Sequence, residues 1–133
     1  MEKKELLELA FAAMQHAYVP YSKYRVGACV LLKDGTTIQG ANIENASYGL
    51  TNCAERSALF ATYSKGYRKD DIVALAIVSE GEYVAAPCGA CRQVIVELMH
   101  EDTPIYLSNG KEEIDTSIRE LLPLSFTQKD VLL

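Results

Sequence analysis

Leu6, Leu7, Ala10, Ala13, Met14 and Ala17 recur at helical spacing and predict a first helix from about Lys3 to about Tyr18. Pro20, in "VPYSKY", is its stop. The unbroken apolar run "VGACVLL" at 26–32 predicts a largely buried strand, and "KDGT" supplies an Asp-Gly turn into a second strand, "TIQGANI". The small and polar residues of "ENASYGLTN" read as a loop. In "CAERSALFATYSK", Ala54, Ala58, Leu59 and Ala61 favour a helix. "GYRKDD" is a solvated connector. The β-branched run "IVALAIV" at 72–78 predicts a central strand, followed by the loop "SEGEYVAAP". Val94, Ile95, Leu98 and Met99 mark another helix that ends near His100. "PIYLSNGKEEI" predicts two short strands around Asn109-Gly110, and Ser117 with Glu120 forms a capping-box pattern for a short last helix that Pro123 ends.

The resulting order, α-β-β-α-β-α-β-β-α, predicts an α/β fold. Five strands make one mixed sheet with helices on both faces, a three-layer α/β/α arrangement. Only "SNGK" separates the final two strands, so they are expected to be antiparallel. The chain's 133 residues suffice for one core, and no repeat or linker divides them, so residues 1–133 are read as one domain.

Composition narrows the partners. Hydrophobic residues at 49% and charged residues at 23% suit a soluble globular protein. The net charge of -5 argues against a broad electrostatic grip on a nucleic-acid polymer. The opening "MEKKELLELAFAAMQHAY" has no apolar run long enough for a membrane span or an export signal, so a cytoplasmic location is expected. Thiols stay reduced there, which turns the four cysteines from disulfides toward metal or thiol chemistry.

Cys53 opens one predicted helix, and Cys88 and Cys91 open another. A helix start favours thiolate over thiol. Two such starts that meet can present three thiolates to a zinc ion and leave its fourth position for water. Cys-x-x-Cys alone also suits a redox pair or a structural zinc site. Cys29, mid-strand in "GACVL", reads as a small buried hydrophobe, and His16 and His100 lie at far helix ends, where surface or packing roles are expected. Asn52 to Glu55 resembles a capping box that would turn the Glu55 carboxylate back on the helix start. Positions two apart point roughly 200° apart on an ideal helix. Spacing alone therefore favours the capping box; a distorted first turn, or a long carboxylate curling round, is needed to bring Cys53 and Glu55 together.

"CAE" followed by "PCGAC" resembles the signature of the zinc nucleoside and nucleobase deaminases. With "NIENASYG" upstream, the chain is similar to the small homotetrameric cytidine deaminases, from "YVPYSKYRVGA" through "NCAERSALF" and "PCGACRQV" to "ELLPLSF". The resemblance implies one zinc ion per subunit on Cys53, Cys88 and Cys91, with Glu55 as proton shuttle. The implied reaction is hydrolytic deamination of cytidine and 2'-deoxycytidine to uridine and 2'-deoxyuridine in pyrimidine salvage. Zinc lowers the pKa of a water; the carboxylate takes its proton, passes it to N3 and then serves the departing amine. Three thiolates leave the site negative, and Arg56, three residues after Cys53, can hydrogen-bond them and drain charge. Arg92 can do the same or form a surface ion pair.

The same resemblance assigns Asn42 and Glu44 to sugar hydroxyls, where the residues alone suggest a polar strand end. The segment to Tyr48 would wrap the sugar, and Ala54 would offer its N–H to the pyrimidine O2. Tyr24 would pack on the base where the family usually has phenylalanine, and its hydroxyl needs a partner or water. Phe126 matches an aromatic that a neighbouring subunit contributes, placing active sites at the interfaces of a homotetramer. Otherwise it is a core residue of the C-terminal segment. The rivals are a deaminase of another small amino-heterocycle, such as blasticidin S, a polynucleotide deaminase, and a non-catalytic zinc module. In the polynucleotide branch the last strand pairs parallel.

Overall fold

The structure is a computed structural model that describes residues 1–132. Helix α1 covers Lys3–Met14 and buries Leu6, Leu7, Ala10, Ala13 and Met14, the stripe expected from the spacing. It stops four residues before Tyr18, earlier than predicted. The Gln15, His16 and Ala17 amides donate to carbonyls three residues back, so the last turn tightens. Tyr18 then leaves the helix altogether. Its N–H donates to the Asn42 carbonyl at 2.9 Å and its carbonyl accepts the Glu44 N–H at 2.8 Å. A strand-like bridge, invisible to local periodicity, outcompetes another helical turn just before Pro20.

Five strands form one sheet: β1 Val26–Leu32, β2 Thr37–Ala41, β3 Ile72–Ser79, β4 Ile105–Ser108 and β5 Glu113–Thr116. Their order is β2-β1-β3-β4-β5. Strand β1 runs antiparallel to β2 and β3; β3 and β4 are parallel; β4 and β5 are antiparallel. The parallel pair requires a crossover, which helix α3, Gly89–Leu98, provides. The antiparallel final pair turns through Gly110 at φ +89°, as the Asn-Gly signal requires. Helix α2, Ala54–Ser64, precedes β3. Short helices α4, Ile118–Leu121, and α5, Gln128–Val131, close the chain.

The sheet is covered on both faces. Cys29, Ala74, Ala76 and Val78 pack under α1, while Ala28, Val30, Leu75 and Ile77 pack under α2 and α3 with Leu59, Ile95 and Met99. That alternation is the strand period of two, and burial on both faces explains why β1 and β3 read as continuous apolar runs. Each fully buried leucine or isoleucine stabilises the fold by about 1.5–3 kcal/mol. Cys29 is wholly buried, and burial pushes its thiol up to about 11, the inert hydrophobe expected.

Two glycines let the helices approach. A Cβ at Gly27 would lie 2.2 Å from the Ala10 carbonyl oxygen of α1, and one at Gly40 would lie 2.6 Å from the Ala54 carbonyl oxygen of α2. Gly40 therefore sets the start of α2 directly on β2.

Two local expectations fail. Ser117 makes no side-chain cap of α4, and Glu120 instead accepts the Thr116 hydroxyl at 3.2 Å, because the last residue of β5 reaches it first. Helix α3 ends at Leu98 rather than His100, since Met99 is extended at φ -128°, ψ 156°. Among the described residues no helix is long and apolar enough to cross a membrane.

Candidate active site

The starts of α2 and α3 meet on one face of the sheet. Cys53 is the N-cap of α2 with extended backbone, φ -78° and ψ 156°, and Cys88 is the N-cap of α3 at φ -66°, ψ 168°. Cys91 lies in the first turn of α3, and its N–H donates to Cys88 Sγ at 3.5 Å. The three sulfur atoms lie within 4.8 Å of one another. A tetrahedron with zinc–sulfur distances of about 2.3 Å has ligands about 3.8 Å apart. The cluster fits that ion in donor type, number and spacing, and it is a three-ligand set rather than a closed four-ligand one.

Electrostatics follow from burial and from Arg56. Arg56 Nη2 donates to Cys53 Sγ at 3.1 Å. Cys53 is held down to about 5, first because the Cys91 thiol donates to it and then because of the Arg56 guanidinium. Cys91, the donor in that pair, moves up. The negative charge thus settles on the sulfur beside the arginine. Arg56 is drawn up in turn by its bond to Cys53. Its Nε is buried and has no hydrogen-bond partner, so the guanidinium is committed to this corner.

Glu55 is 4% exposed and lines the same cavity as Cys53 and Cys88. Burial pushes its carboxyl up to about 7, and the charge of Cys53 adds to the rise. The helical-angle objection does not apply, because Cys53 is not helical: it precedes the first helical residue, and Glu55 is the second. The capping box expected from Asn52 is absent for the same reason. The cap lies one residue later, and Asn52 Nδ2 donates to Ser57 Oγ instead.

The cavity holds about 280 Å³ and is walled by Tyr24, Asn42, Glu44, Tyr48, Cys53, Ala54, Glu55 and Cys88 among others. Of the residues given a part in the site from the sequence, Cys91, Arg56, Arg92 and Phe126 are off its wall. Cys91 and Arg56 stand behind the Cys53 sulfur. Phe126 is 60% exposed and does not line its own chain's cavity, so it is no core residue of the single chain. Ala54, as the first helical residue, has an N–H without an intrahelical acceptor.

Asn42 and Glu44 do more than line the wall. Asn42 Oδ1 accepts the Val26 N–H and its Nδ2 donates to the Tyr24 carbonyl, both at 2.9 Å. Glu44 Oε1 accepts the N–H groups of Tyr21 and Ser22 at 3.1 and 3.0 Å, and Oε2 accepts the Ser22 hydroxyl. Those donors, the hydroxyl first, hold the Glu44 carboxyl below the usual carboxylate range. The 18–25 segment is therefore laced over 42–44, with Lys23 in a left-handed conformation at φ 62°. Tyr24 is set against Gly81, whose φ of +122° suits only glycine.

The sequence alone missed several wall residues: Ser22, Ile77, Ser79 and the 85–87 stretch. Ser22 and Pro87 sit inside motifs already singled out, whereas Ile77 and Ser79 read only as strand. Arg92 was mistaken in both directions. Among the described residues it meets neither thiolate nor carboxylate, but donates to the backbone carbonyls of Pro87 and Leu121. His100 pairs with Asp70 at the surface.

The model of the cytidine and deoxycytidylate deaminase zinc-binding region matches residues 1–107. A cytidine deaminase of Halalkalibacterium halodurans is 53% identical over 132 residues, covering 98% of each chain. The crystal structure of cytidine deaminase from Burkholderia pseudomallei superposes with a TM-score of 0.91 at 46% identity, covering 95% of this chain and 100% of that one. A blasticidin-S deaminase of Bacillus cereus is more distant, 33% identical over 130 residues, with 93% and 91% covered.

Proposed function

The chain belongs to the cytidine and deoxycytidylate deaminase family, and from that premise we propose that its cavity hydrolyses cytidine and 2'-deoxycytidine to uridine and 2'-deoxyuridine, releasing ammonia. The observation that carries this reading is the meeting of three thiols and one buried carboxyl, Glu55, at a cavity of nucleoside-base size.

Cys53, Cys88 and Cys91 hold a zinc ion, which when bound supplies a water acidified to near neutral pH. Glu55 takes one proton from the attacking water and delivers it to N3 of the pyrimidine as the water's oxygen bonds to C4; it then takes that oxygen's second proton and gives it to the amino nitrogen, so that the C4–N bond breaks, the C4 carbonyl forms and ammonia leaves. A carboxyl buried against the thiols can act as base and then as acid without moving. Arg56 spreads the negative charge of the thiolates. The free N–H of Ala54 faces the pyrimidine O2. Tyr24 packs on the base, and the Tyr48 segment encloses the sugar. Asn42 and Glu44 keep spare hydrogen-bonding capacity, a second amide hydrogen and unfilled lone pairs, for sugar hydroxyls.

Phe126, exposed and off the wall of its own cavity, serves the site of a neighbouring copy in a homotetramer. The protein works as one catalytic domain in the cytoplasm, in pyrimidine salvage. A polynucleotide substrate is disfavoured by the antiparallel β4–β5 pair and by the net charge of -5. A second reading, deamination of another small amino-heterocycle, is favoured only by the similarity to the blasticidin-S deaminase.

The test is release of ammonia and uridine from cytidine by the purified, zinc-loaded protein, with Glu55→Gln alongside. Turnover by the wild type and none by a zinc-bound variant is the expected result. A zinc-loaded wild type that leaves cytidine untouched but releases ammonia from blasticidin S would move the assignment to the second reading.

A further inference from the structure

Glu44 lies three residues beyond β2, is 8% exposed, and lines the cavity beside Ser22. An ionised carboxylate offers about four lone pairs. Among the described residues three are taken, and all three donors come from one turn. The Tyr21 and Ser22 amides fill Oε1, and the Ser22 hydroxyl takes one lone pair of Oε2. The lone pair left for a ligand is therefore on the oxygen that the hydroxyl holds.

The same hydroxyl reaches the base side of the cavity. Ser22 Oγ accepts the Tyr24 N–H at 3.0 Å, while the Tyr24 carbonyl accepts Asn42 Nδ2 at 2.9 Å. Lys23, between Ser22 and Tyr24, stands at φ 62°. A residue with a Cβ avoids that left-handed region, and such a conformation persists only where its surroundings over-determine it. The bond across it, from the Tyr24 N–H to Ser22 Oγ, does so. A hydroxyl that donates to a carboxylate is polarised into a better acceptor, so the two bonds of this chain strengthen each other. Asn42 thus holds Tyr24 directly, and Glu44 holds it through Ser22.

We propose that Ser22 is a positioning residue: it aims the Glu44 carboxylate at a sugar hydroxyl and, through the Tyr24 N–H, ties that recognition to the packing of the base. The inference rests on the nucleoside reading of the cavity. Ser22 acts through Glu44 and Tyr24, not on the reacting atoms. A ligand without sugar hydroxyls gains nothing from the Glu44 half of this chain.

The test uses the full-length, zinc-loaded protein and two ligands: cytidine as substrate, and 2',3'-dideoxycytidine as its competitor, which keeps the base and the sugar ring but lacks both ring hydroxyls. Ser22→Ala is expected to raise KM for cytidine about tenfold or more, the worth of a hydrogen bond to a charged group. The inhibition constant of dideoxycytidine rises about threefold or less. That smaller loss comes through Tyr24, so it vanishes when Ser22→Ala is added to Tyr24→Ala. Ser22→Thr keeps the hydroxyl and restores the preference for cytidine. An equal loss for both ligands in folded Ser22→Ala, as mere loosening of the turn gives, would overturn the proposal. A dideoxycytidine loss that persists in full beside Tyr24→Ala would overturn the tie to the base. If the zinc-loaded wild type leaves cytidine untouched, the nucleoside reading has failed and the proposal falls with it. If the wild type turns cytidine over but binds dideoxycytidine equally well, only the proposal falls, since Glu44 then gains nothing from a sugar hydroxyl.

Discussion

The starts of α2 and α3 use the same device and put it to different ends. Each begins with a cysteine in extended backbone at the N-cap, and each carries an arginine within its first turn or just beyond. At α2 the arginine, Arg56, donates to sulfur, and the neighbouring carboxyl of Glu55 is buried. At α3 the cysteine Cys88 is exposed, no acidic residue stands in the first turn, and Arg92 donates to two carbonyls. The first helix start sets the charge and acidity of the site. The second sets where its remaining ligands stand. Identical residue types, a helix start and an arginine, therefore do not predict identical roles. The direction of the guanidinium decides, and that direction depends on what the rest of the fold leaves unpartnered.

The largest effect expected from this asymmetry is at Glu55. Glu55→Gln removes the only acid-base group of the two helix starts and should lower kcat by about 100- to 10,000-fold. Zinc content, measured by atomic absorption, should stay at the wild-type level, since the carboxyl is not among the clustered ligands. Loss of metal in that variant would show that Glu55 supports the cluster instead of the proton transfer.

Arg56→Ala comes next. It takes the guanidinium off Cys53 Sγ and should cost about ten- to a hundredfold in zinc affinity or turnover. Arg56→Lys keeps the charge but not the fork, so it should recover only part. The comparison breaks if Arg56→Ala leaves zinc retention and kcat intact. Arg56 would then be one more brace, like Arg92.

What the sequence made legible divides along the same line. The three clustered thiols and Arg56 were readable because short spacings at helix starts carry them, whereas spacing alone favoured a capping box for Glu55 and only the family resemblance pointed it at the cavity. The five strands were readable from β-branched runs and turn signals. Arg92 was not, because its acceptors, Pro87 and Leu121, are backbone groups brought together only by the crossover of α3 and the return of α4. The early end of α1 was hidden for a similar reason: Tyr18 bonds Asn42 and Glu44, far along the chain. Likewise nothing local in "YSKY" announces that Ser22 will hold the Glu44 carboxylate. Local chemistry was legible; partners across the sheet were not.

A smaller effect separates the two faces of the sheet. Gly40→Ala and Gly27→Ala each force a Cβ onto helix backbone, at 2.6 Å from the Ala54 carbonyl oxygen and 2.2 Å from the Ala10 carbonyl oxygen. Overpacking of this kind costs about 1–3 kcal/mol, readable as a lower urea midpoint for both. Only Gly40→Ala pushes on the start of α2, so only it should also lower kcat of the folded fraction. Equal kcat losses in both variants would mean that α1 and α2 are mechanically coupled across the sheet.

The smallest effect concerns the loop that leads from β3 to Cys88. Its first residue, Glu80, accepts the Arg25 N–H at 3.0 Å and Arg25 Nε at 2.8 Å, clasping the loop to the chain just before β1. The Arg25 guanidinium, with the Arg25 amide, holds the Glu80 carboxyl below its ordinary value of 4.5. A lowered folded pKa means that the clasp stabilises the protein fully above that ordinary value, and that the contribution fades as pH falls through the folded one. Glu80→Gln should therefore be less stable than wild type at neutral pH, with the gap between their denaturation midpoints closing as pH drops below 4.5. The pair is partly exposed, so salt should shrink the gap as well. Unchanged zinc release in Glu80→Gln is also expected, because Arg92, not the Glu80 clasp, holds the peptide that enters Cys88. Faster zinc release in that variant would move the positioning of the α3 start from the arginine on its own helix to the mouth loop in front of it.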